Sequence, residues 1–312
     1  SRIYSHAEAL AAFDSKHISA PGNAKASEYL RAAYASFGYE PELQWVDLDG
    51  ALGGRSANVV ATLRGTQHPE VIYIAGSHYD SEVGVIGADD NTSGTTALLE
   101  TARAMAGHPQ PATIVFVSFT GEEEGMRGSR PFVARAKSAN WTVAGTLNND
   151  MIGWTNGHRL DNTIRYTNDG IRDLQHAAAM TFSEMITYDA RYYRGSDSQA
   201  FFDGWGALGG GLGSYPVLGS PYYHRPTDVL QIVNQRLVTE VAKTTAATLV
   251  MMSNLPSPPR GLTAAAAEDG VVVTWDAPIE RDVREWVVTW KTAGGAPQRR
   301  VVTATRAVIP AP

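Results

Sequence analysis

Four short runs of apolar and β-branched residues, each bounded by turn-forming residues, constrain the fold of this chain more than any other feature. They span residues 58–63, 71–75, 113–119 and 143–147, and their length and composition predict β-strands. Segments with helical spacing flank these runs, at residues 24–37, 95–105 and 227–252. We expect the last helix to begin with Thr227 or Asp228 near its N-cap. This alternation predicts an α/β protein with a largely parallel or mixed sheet and helices on both faces.

Carboxylate and imidazole side chains stand where the predicted strands end. His78 and Asp80 follow one strand, the glutamates 122–124 follow the next, and Asp150 follows a third. Strand ends in α/β proteins are rigid and open onto the crevice where ligands bind. Because the chain has no cysteine, histidine and acidic residues are the available metal ligands. The sequence therefore predicts a metal site at this edge of the sheet.

The composition excludes several classes of partner. The 312 residues are 43% hydrophobic and 19% charged, as in an ordinary globular protein of about two domains. A net charge of -6 offers no basic surface for nucleic acid or for anionic membranes. No uninterrupted apolar run approaches the roughly 20 residues that span a bilayer, so we expect a soluble protein.

A proline-rich segment divides the chain near its C-terminal end. We expect a catalytic domain over residues 1–253, a linker over 254–260 and a small β unit over 261–312. Strand-like runs at 270–275 and 285–290 make this tail resemble the opening half of a fibronectin type III module, with Trp275 in its core. The alternative is a strand hairpin packed on the first domain.

Taken alone, the first polar motifs have ordinary structural explanations. A His-x-Asp pair such as His78 and Asp80 is more often a surface turn. In the segment 87–94, Asp89 or Asp90 would more often cap the following helix, although one of these acids could also bridge two cations.

The remaining motifs are equally ambiguous when each is considered separately. Three adjacent glutamates, Glu122 to Glu124, usually form a solvated loop, but such a loop seldom follows a core strand directly. Asp150 is unremarkable by itself, and a histidine beside aromatic residues, such as His224, is more often structural than a ligand.

Together the motifs resemble those of the secreted bacterial leucyl aminopeptidases, a family of dinuclear zinc exopeptidases with relatives that include aminopeptidase Y, glutamate carboxypeptidase and glutaminyl cyclase. The similarity runs from about residue 24 to 252 and covers, in one order, His-x-Asp, Gly-x-Asp-Asp-x-x-Ser-Gly, Glu-Glu-x-Gly-x-x-Gly-Ser, Asp-Met-Ile-Gly and Tyr-His-x-x-x-Asp. It implies a three-layer αβα sandwich around a mixed, mostly parallel sheet. It also implies two Zn²⁺ ions and a metalloaminopeptidase that hydrolyses the N-terminal peptide bond of peptides through a water bridging both ions.

The resemblance assigns the metal ligands residue by residue. Asp90 would be shared by both zinc ions, Glu123 and His224 would complete one ion, and His78 and Asp150 would complete the other. Only the family pattern selects Asp90 over its neighbour at position 89. It also implies that the peptide bond after Asp90 is cis.

The same similarity assigns roles in catalysis. Glu122 resembles the general base, because the following Gly-x-x-Gly-Ser motif fixes the register of the glutamates. Tyr223 resembles the tyrosine whose hydroxyl faces the developing oxyanion. Asp80 resembles the acid that orients His78.

One segment departs from the family pattern. Family members often read Ser-Asp-His where this chain has Ser196-Asp197-Ser198, and a glycine-rich stretch follows at 204–213. These loops border the substrate pocket in relatives, so the side-chain preference stays open. Ser196 and Asp197 could equally cap a helix, and we expect the glycines 209–211 to form a flexible loop.

Several functions remain alternatives on this reasoning. A carboxypeptidase or dipeptidase would use the same dizinc chemistry, whereas glutaminyl cyclase needs one zinc, and the presence of His78 with both acidic partners argues against it. A non-catalytic binding relative would have lost ligands. We expect a monomer that acts on peptide substrates with a free N-terminus, with no nucleic-acid or membrane partner, exported to the extracellular space or the periplasm as close relatives are.

Overall fold

A computed structural model describes residues 2–48, 54–257, 259–277, 279 and 283–310. The chain divides into two compact units, Ser1–Leu255 and Pro256–Pro312. Pro258, which belongs to the predicted linker, lies outside the described residues. Among the residues described, no helix combines the length and the apolar character needed to cross a membrane.

A six-stranded sheet forms the centre of the first unit. Its strands, in spatial order, are β1 (Glu42–Asp47), β2 (Arg55–Leu63), β4 (Ala112–Phe119), β3 (His68–His78), β5 (Thr142–Asn148) and β9 (Gly209–Gly210). β3 is parallel to both β4 and β5, and β5 is parallel to β9, whereas β1 and β2 are antiparallel additions at one edge. Every residue of β4 is buried, as expected for a strand covered on both faces.

Helices cover this sheet on both faces. They are α1 (Arg2–Ala11), α2 (Pro21–Ser36), α3 (Gly94–Met105), α4 (Ser129–Ser138), α5 (Asp169–Phe182), α6 (Asp197–Trp205) and α7 (Gln235–Asn254). α4 packs on α6, and their core includes Phe119, Phe132 and Phe201. α7 packs on α3 and α5 around a second core that includes Leu237 and Val241. The predicted three-layer α/β architecture with a mixed, mostly parallel sheet is confirmed.

A second, smaller sheet extends the first unit next to α7. It contains β6 (Asp150–Thr155), β10 (Leu212–Tyr215), β7 (Asp161–Arg165) and β8 (Ile186–Ala190) in that order. β10 runs parallel to β6 and antiparallel to β7. β6 therefore continues directly from the end of β5 into a different sheet.

The predicted start of the last helix is wrong. α7 begins at Gln235, and the side chain of Asn234 caps it by accepting hydrogen bonds from the backbone N–H groups of Arg236 and Leu237. Asparagine is a strong N-cap because its side chain satisfies amides that the helix leaves unpaired. Thr227 and Asp228 precede the helix, and the carboxylate of Asp228 is used elsewhere.

The prediction of a flexible glycine loop is also wrong. Gly209 and Gly210 form β9 on the edge of the central sheet. A Cβ atom at Gly210 would lie 2.4 Å from Oε1 of Gln175, and one at Gly211, whose φ is +150°, would lie 1.9 Å from the carbonyl oxygen of Asn148. The glycines therefore permit close backbone approach, which is their usual role within a sheet.

The second unit consists of antiparallel strands. β11 (Thr263–Ala267), β12 (Gly270–Thr274) and β15 (Arg306–Pro310) form one sheet, and β13 (Trp286–Trp290) pairs with β14 (Gln298–Val302). Trp275 is buried and contacts the ring of Trp286. The similarity of this unit to a fibronectin type III module remains a prediction.

Candidate metal centre

The polar residues that follow β3, β4 and β5 meet at one edge of the central sheet. His78 is the last residue of β3 and pairs in register with Phe119, the last residue of β4. The glutamate turn follows β4, and Asp150 opens β6 immediately after β5. Because the carboxyl ends of parallel strands lie together, side chains far apart in sequence become neighbours.

One group of ligand atoms surrounds the imidazole of His78. Its Nε2 atom lies 3.3 Å from Oδ1 of Asp90 and 3.3 Å from Oδ1 of Asp150. Asp90 reaches this position from the irregular turn between β3 and α3, where the predicted cis peptide bond between Asp90 and Asn91 is confirmed. All three side chains are buried.

A second group surrounds the imidazole of His224, which lies on the connection between β10 and α7. Its Nε2 atom lies 3.3 Å from Oδ2 of Asp90 and 3.1 Å from Oε2 of Glu123. Asp90 therefore presents one carboxylate oxygen to each histidine. The five predicted ligands are brought together in two adjacent groups that share this carboxylate.

Glu82 is a further acid in the second group, but it faces the other side of the ring. Its Oε1 atom lies 3.3 Å from Nδ1 of His224. A neutral imidazole binds a metal through one nitrogen while the other donates its N–H to an acceptor. Since Asp90 and Glu123 both face Nε2, we assign Glu82 the task of orienting the ring.

Three buried carboxylates hold the ligand-bearing turns in place through backbone amides. Asp80 accepts hydrogen bonds from the N–H groups of Glu122 and Glu123, at 3.1 and 3.2 Å. Its Oδ1 atom lies 3.5 Å from Nδ1 of His78, close to the ring that it was expected to orient. Asp80 thus fixes the glutamate turn directly and lies beside His78 as well.

The other two carboxylates repeat this arrangement on different turns. Asp228 accepts from the backbone N–H groups of Asp89 and Asp90, at 2.8 and 3.0 Å. Asp89 in turn accepts from those of Gly153 and Trp154, at 2.8 and 3.1 Å. Asp89 and Asp90 therefore do not cap α3, which was the ordinary alternative for this motif.

Ser196 occupies the N-cap position of α6 but makes no capping hydrogen bond through its side chain. Its hydroxyl donates instead to Oδ2 of Asp150 at 2.7 Å and accepts from the side-chain amide of Asn148 at 2.8 Å. Ser196 thus holds Asp150, one of the candidate metal ligands, in position. The following residue, Asp197, is buried, and burial raises the pKa of its carboxyl to about 7.

The negative charges of the acids at this centre favour the binding of cations. The acids at positions 80, 89, 90, 150, 197 and 228 are all buried, and buried carboxylates are costly unless they are paired or coordinate metals. In the metal-free protein the histidines supply that charge. Burial lowers the pKa of His78, but the surrounding acids, Glu122 first, outweigh it and raise the pKa well above its usual range.

The spacing of the atoms fits zinc. Bonds of about 2.0 to 2.1 Å in a tetrahedral site place ligand atoms about 3.3 Å apart. The four distances from a histidine nitrogen to a carboxylate oxygen in the two groups lie between 3.1 and 3.3 Å. Oε1 of Glu123 is buried and has no hydrogen-bond partner within the described ranges. The donor set of imidazole nitrogens and carboxylate oxygens is one that zinc accepts.

Two further predicted residues line the cavity beside the metal groups. Glu122 and Tyr223 both border it. Burial raises the pKa of Glu122 well above its usual range, although His78 opposes this shift. Burial and the nearby acids also raise the pKa of Tyr223, so its hydroxyl keeps its proton at neutral pH.

The sequence analysis does not predict a role at the centre for four residues that lie near it. Asp228 was interpreted as a helix cap, although its place in the Tyr-His-x-x-x-Asp motif could have identified it. Glu82 and Arg165 carried no recognisable signal, and neither did Lys16, whose buried ammonium group donates to the carbonyl oxygen of Ile86. The glycine-rich stretch 204–213 is absent from the cavity lining that the structure describes, but Gly213 lies against the side chain of Arg165, which does line the cavity.

Comparison with curated proteins finds zinc metalloproteases of fungi. A probable zinc metalloprotease of Pyrenophora teres f. teres is 25% identical over 295 residues, which cover 76% of this chain and 60% of that protein. Another from Pyricularia oryzae is 40% identical over 111 residues, covering 33% of this chain and 22% of the relative. The chain thus spans less than two thirds of the length of either relative.

Solved structures share the fold. LapA aminopeptidase of Legionella pneumophila superposes with a TM-score of 0.72 at 15% identity, covering 81% of this chain and 72% of that one. An aminopeptidase from Aneurinibacillus sp. strain AM-1 gives a TM-score of 0.69 at 17% identity, covering 81% of this chain and 93% of the other. The sequence pattern of peptidase family M28 matches residues 58–249, the part of the chain that carries all five candidate ligands. The chain therefore belongs to peptidase family M28.

Proposed function

We propose that this protein is a dinuclear zinc aminopeptidase. The observation that carries the proposal is the position of Asp90, whose two carboxylate oxygens each lie 3.3 Å from the Nε2 atom of a different histidine. A carboxylate placed in this way can serve two ions at once. His78 and Asp150 would complete one zinc site, and Glu123 and His224 the other.

Bound zinc ions would polarise the scissile carbonyl group and make a water molecule more acidic. The protein's own groups carry the proton and the developing charge. Glu122 would take a proton from the attacking water and pass it to the leaving amine, a role for which a carboxyl group with a raised pKa is suited. Tyr223 would donate its hydroxyl proton to the oxyanion that forms on the carbonyl oxygen.

The substitution Glu122→Gln tests this mechanism. It should preserve two zinc ions per chain, measured by elemental analysis, while turnover of peptide anilides falls roughly 10²- to 10⁴-fold. Glu124→Gln is the matched control, because the neighbouring Glu124 pairs with His17 outside the cavity. Substantial activity in Glu122→Gln would remove this residue from the base role, and one zinc per chain would exclude the dinuclear site.

The nearest rival is a carboxypeptidase or dipeptidase with the same metal chemistry. Free peptides, N-blocked peptides and C-blocked peptides should be compared with and without a chelator. An aminopeptidase trims the first and third from the amino end and leaves the second intact. Trimming of N-blocked peptides from the carboxyl end would favour the rival.

A further inference from the structure

Arg165 places a positive charge inside the candidate active site. It is the last residue of β7, its side chain is 8% exposed, and it lines the same cavity as Asp150, Ser196 and Tyr223. Its Cζ atom lies 5.6 Å from the centre of the Tyr192 ring. The guanidinium is therefore held in a buried position beside the metal groups.

The donors of this guanidinium are largely unused. Nε and Nη2 are buried and have no hydrogen-bond partner within the part of the chain that the structure describes. The nearest acid is Asp150, whose Oδ2 lies 3.9 Å from Nη1, too far for a hydrogen bond. That oxygen already accepts from Ser196. Buried donors without a partner are unfavourable, and Arg165 lines the cavity, so an acceptor bound beside it would be stabilised by donors that the protein leaves unpaired.

Because Gly213 has no side chain, it leaves the space that the guanidinium of Arg165 occupies. Gly213 lies on β10, between β6 and β7. A Cβ atom at this position would lie 2.1 Å from Nε and 2.2 Å from Cζ of Arg165. The side chain of Arg165 would then have to move. Two positions thus act together to present the guanidinium to the cavity.

We infer that Arg165 binds a carboxylate of the substrate, and that the preferred substrates carry aspartate or glutamate at the N-terminus. The inference rests on the proposed peptidase function and specifies its substrate class. A guanidinium offers parallel N–H donors that match the two oxygens of a carboxylate. Because Arg165 lies next to Asp150, the bound carboxylate must be close to the scissile bond. The side chain of the N-terminal residue meets that requirement.

Matched pairs of substrates isolate the carboxylate. Anilides of aspartate and asparagine, and of glutamate and glutamine, differ in charge but hardly in shape, and they carry no α-carboxylate. With the zinc-loaded full chain we expect kcat/KM to favour each acid over its amide by roughly 10- to 100-fold. Arg165→Met should bring this ratio to about one or below, and Arg165→Lys should give an intermediate ratio.

Two more variants test whether a change in the acid-to-amide ratio comes from the position of Arg165 or from the loss of any arginine. Gly213→Ala should lower the acid-to-amide ratio although Arg165 itself is unchanged. Arg159→Met is the matched control, because Arg159 is an exposed arginine that pairs with Asp161, and its ratio should equal that of the wild type. Each ratio compares two substrates on one enzyme sample, so a loss of zinc lowers both rates and leaves the ratio intact.

The α-carboxylate at the end of a short peptide is the other possible source of the same chemistry. If dipeptides are favoured over their C-terminal amides, and Arg165→Met abolishes that preference, Arg165 binds the terminal carboxylate, and the preference for an acidic N-terminal residue is overturned. If the wild type favours no carboxylate, or if Arg165→Met keeps the wild-type ratios, the inference is overturned.

A binding measurement keeps the test separate from the proposed function. Calorimetry should show that L-aspartate binds wild-type protein more tightly than L-asparagine does, and that Arg165→Met loses the difference. This result would support the role of Arg165 even if no peptide were hydrolysed, which would refute the peptidase activity alone. Equal binding of the two amino acids by the wild type would count against Arg165.

Discussion

The carboxylate of Asp228 accepts a hydrogen bond of 3.0 Å from the backbone N–H of Asp90, although 138 residues separate them in the sequence. Its other oxygen accepts from the preceding amide. Both donors belong to the turn that carries the carboxylate shared by the two candidate zinc sites. The position of that ligand therefore depends on an acid at the far end of the domain.

Asp228→Asn should weaken zinc binding by roughly 10- to 100-fold, the usual cost of losing a group that orients a ligand. The amide keeps one acceptor but turns an N–H₂ group toward a backbone donor. Competition with a chelating dye would measure the affinity, and circular dichroism would verify folding. Asp203→Asn is the control, because Asp203 pairs with Arg130 on the surface. Equal affinities in both variants would contradict the role of Asp228.

Tyr223→Phe should lower kcat by roughly 10²- to 10³-fold with a smaller change in KM, because the hydroxyl is expected to act on charge that develops in the transition state. Steady-state kinetics on a peptide anilide measure both constants. Tyr222→Phe changes the preceding tyrosine, which is absent from the described cavity lining, and should retain wild-type rates. A change confined to KM in Tyr223→Phe would indicate substrate binding instead.

Zinc binding at pH 7 should release at least two protons per chain, because zinc binds neutral imidazole and ionised carboxylate. Burial raises the pKa of Glu123 to about 8, so this candidate ligand adds to the protons released by the two histidines. In the metal-free protein both ligand histidines are cationic: hydrogen bonds with Asp90 and Glu123 raise the pKa of His224 to about 10, and that of His78 is raised as well. Calorimetry in two buffers of different ionisation enthalpy measures the release. The affinity for zinc should consequently fall as the pH is lowered. A binding enthalpy that is the same in both buffers would refute the prediction.

Lys16 should make a contribution to the stability of the metal-free protein that grows as the pH rises from about 8 to 10. Burial lowers the pKa of this ammonium group from 10.5 to about 8, despite the opposing charge of Asp228. Within that window the unfolded chain binds the proton and the folded chain does not, so the contribution of Lys16 to the free energy of unfolding increases, by up to about 3 kcal/mol for the full shift. His78 and His224, whose pKa values are raised, act in the opposite direction over this range.

Urea unfolding at several pH values in the presence of a chelator tests this effect. Between pH 8 and 10, Lys16→Met should lose stability relative to the wild type as the pH rises, because it lacks this growing contribution. Lys25→Met, which changes an exposed lysine of α2, should retain the wild-type slope. A difference in unfolding free energy between the wild type and Lys16→Met that does not change between pH 8 and 10 would contradict the assignment.

A chain that ends at Leu255 should fold and hydrolyse small anilides at the rate of the full chain. The first compact unit ends at this residue, and all the candidate ligands precede it. Thermal unfolding followed by circular dichroism, together with kcat/KM, would make the comparison. Insoluble or inactive protein would show that residues after Leu255 are needed by the catalytic unit.

The sequence predicted those parts of the molecule that local patterns encode. The strands before His78 and Glu122 are apolar runs with clear boundaries, and both were identified. The predicted start of α7 is wrong because aspartate is a common helix cap, whereas the carboxylate oxygens of Asp228 accept hydrogen bonds from the backbone of a turn remote in sequence. No local pattern could reveal Arg165, because its significance comes from unpaired donors and from the space that Gly213 leaves, which exist only in the folded chain.

The carboxylates that bind the backbone of distant turns also have a consequence for the order of events during synthesis of the chain. The turn that carries Asp90 receives its acceptor from Asp228, which the ribosome adds only when most of the domain has already been made. A nascent chain that does not yet include Asp228 would hold a cluster of mutually repelling acids without the hydrogen bonds that fix the turn of Asp90. Metal loading is therefore expected to follow the synthesis of the candidate ligand His224 and of Asp228.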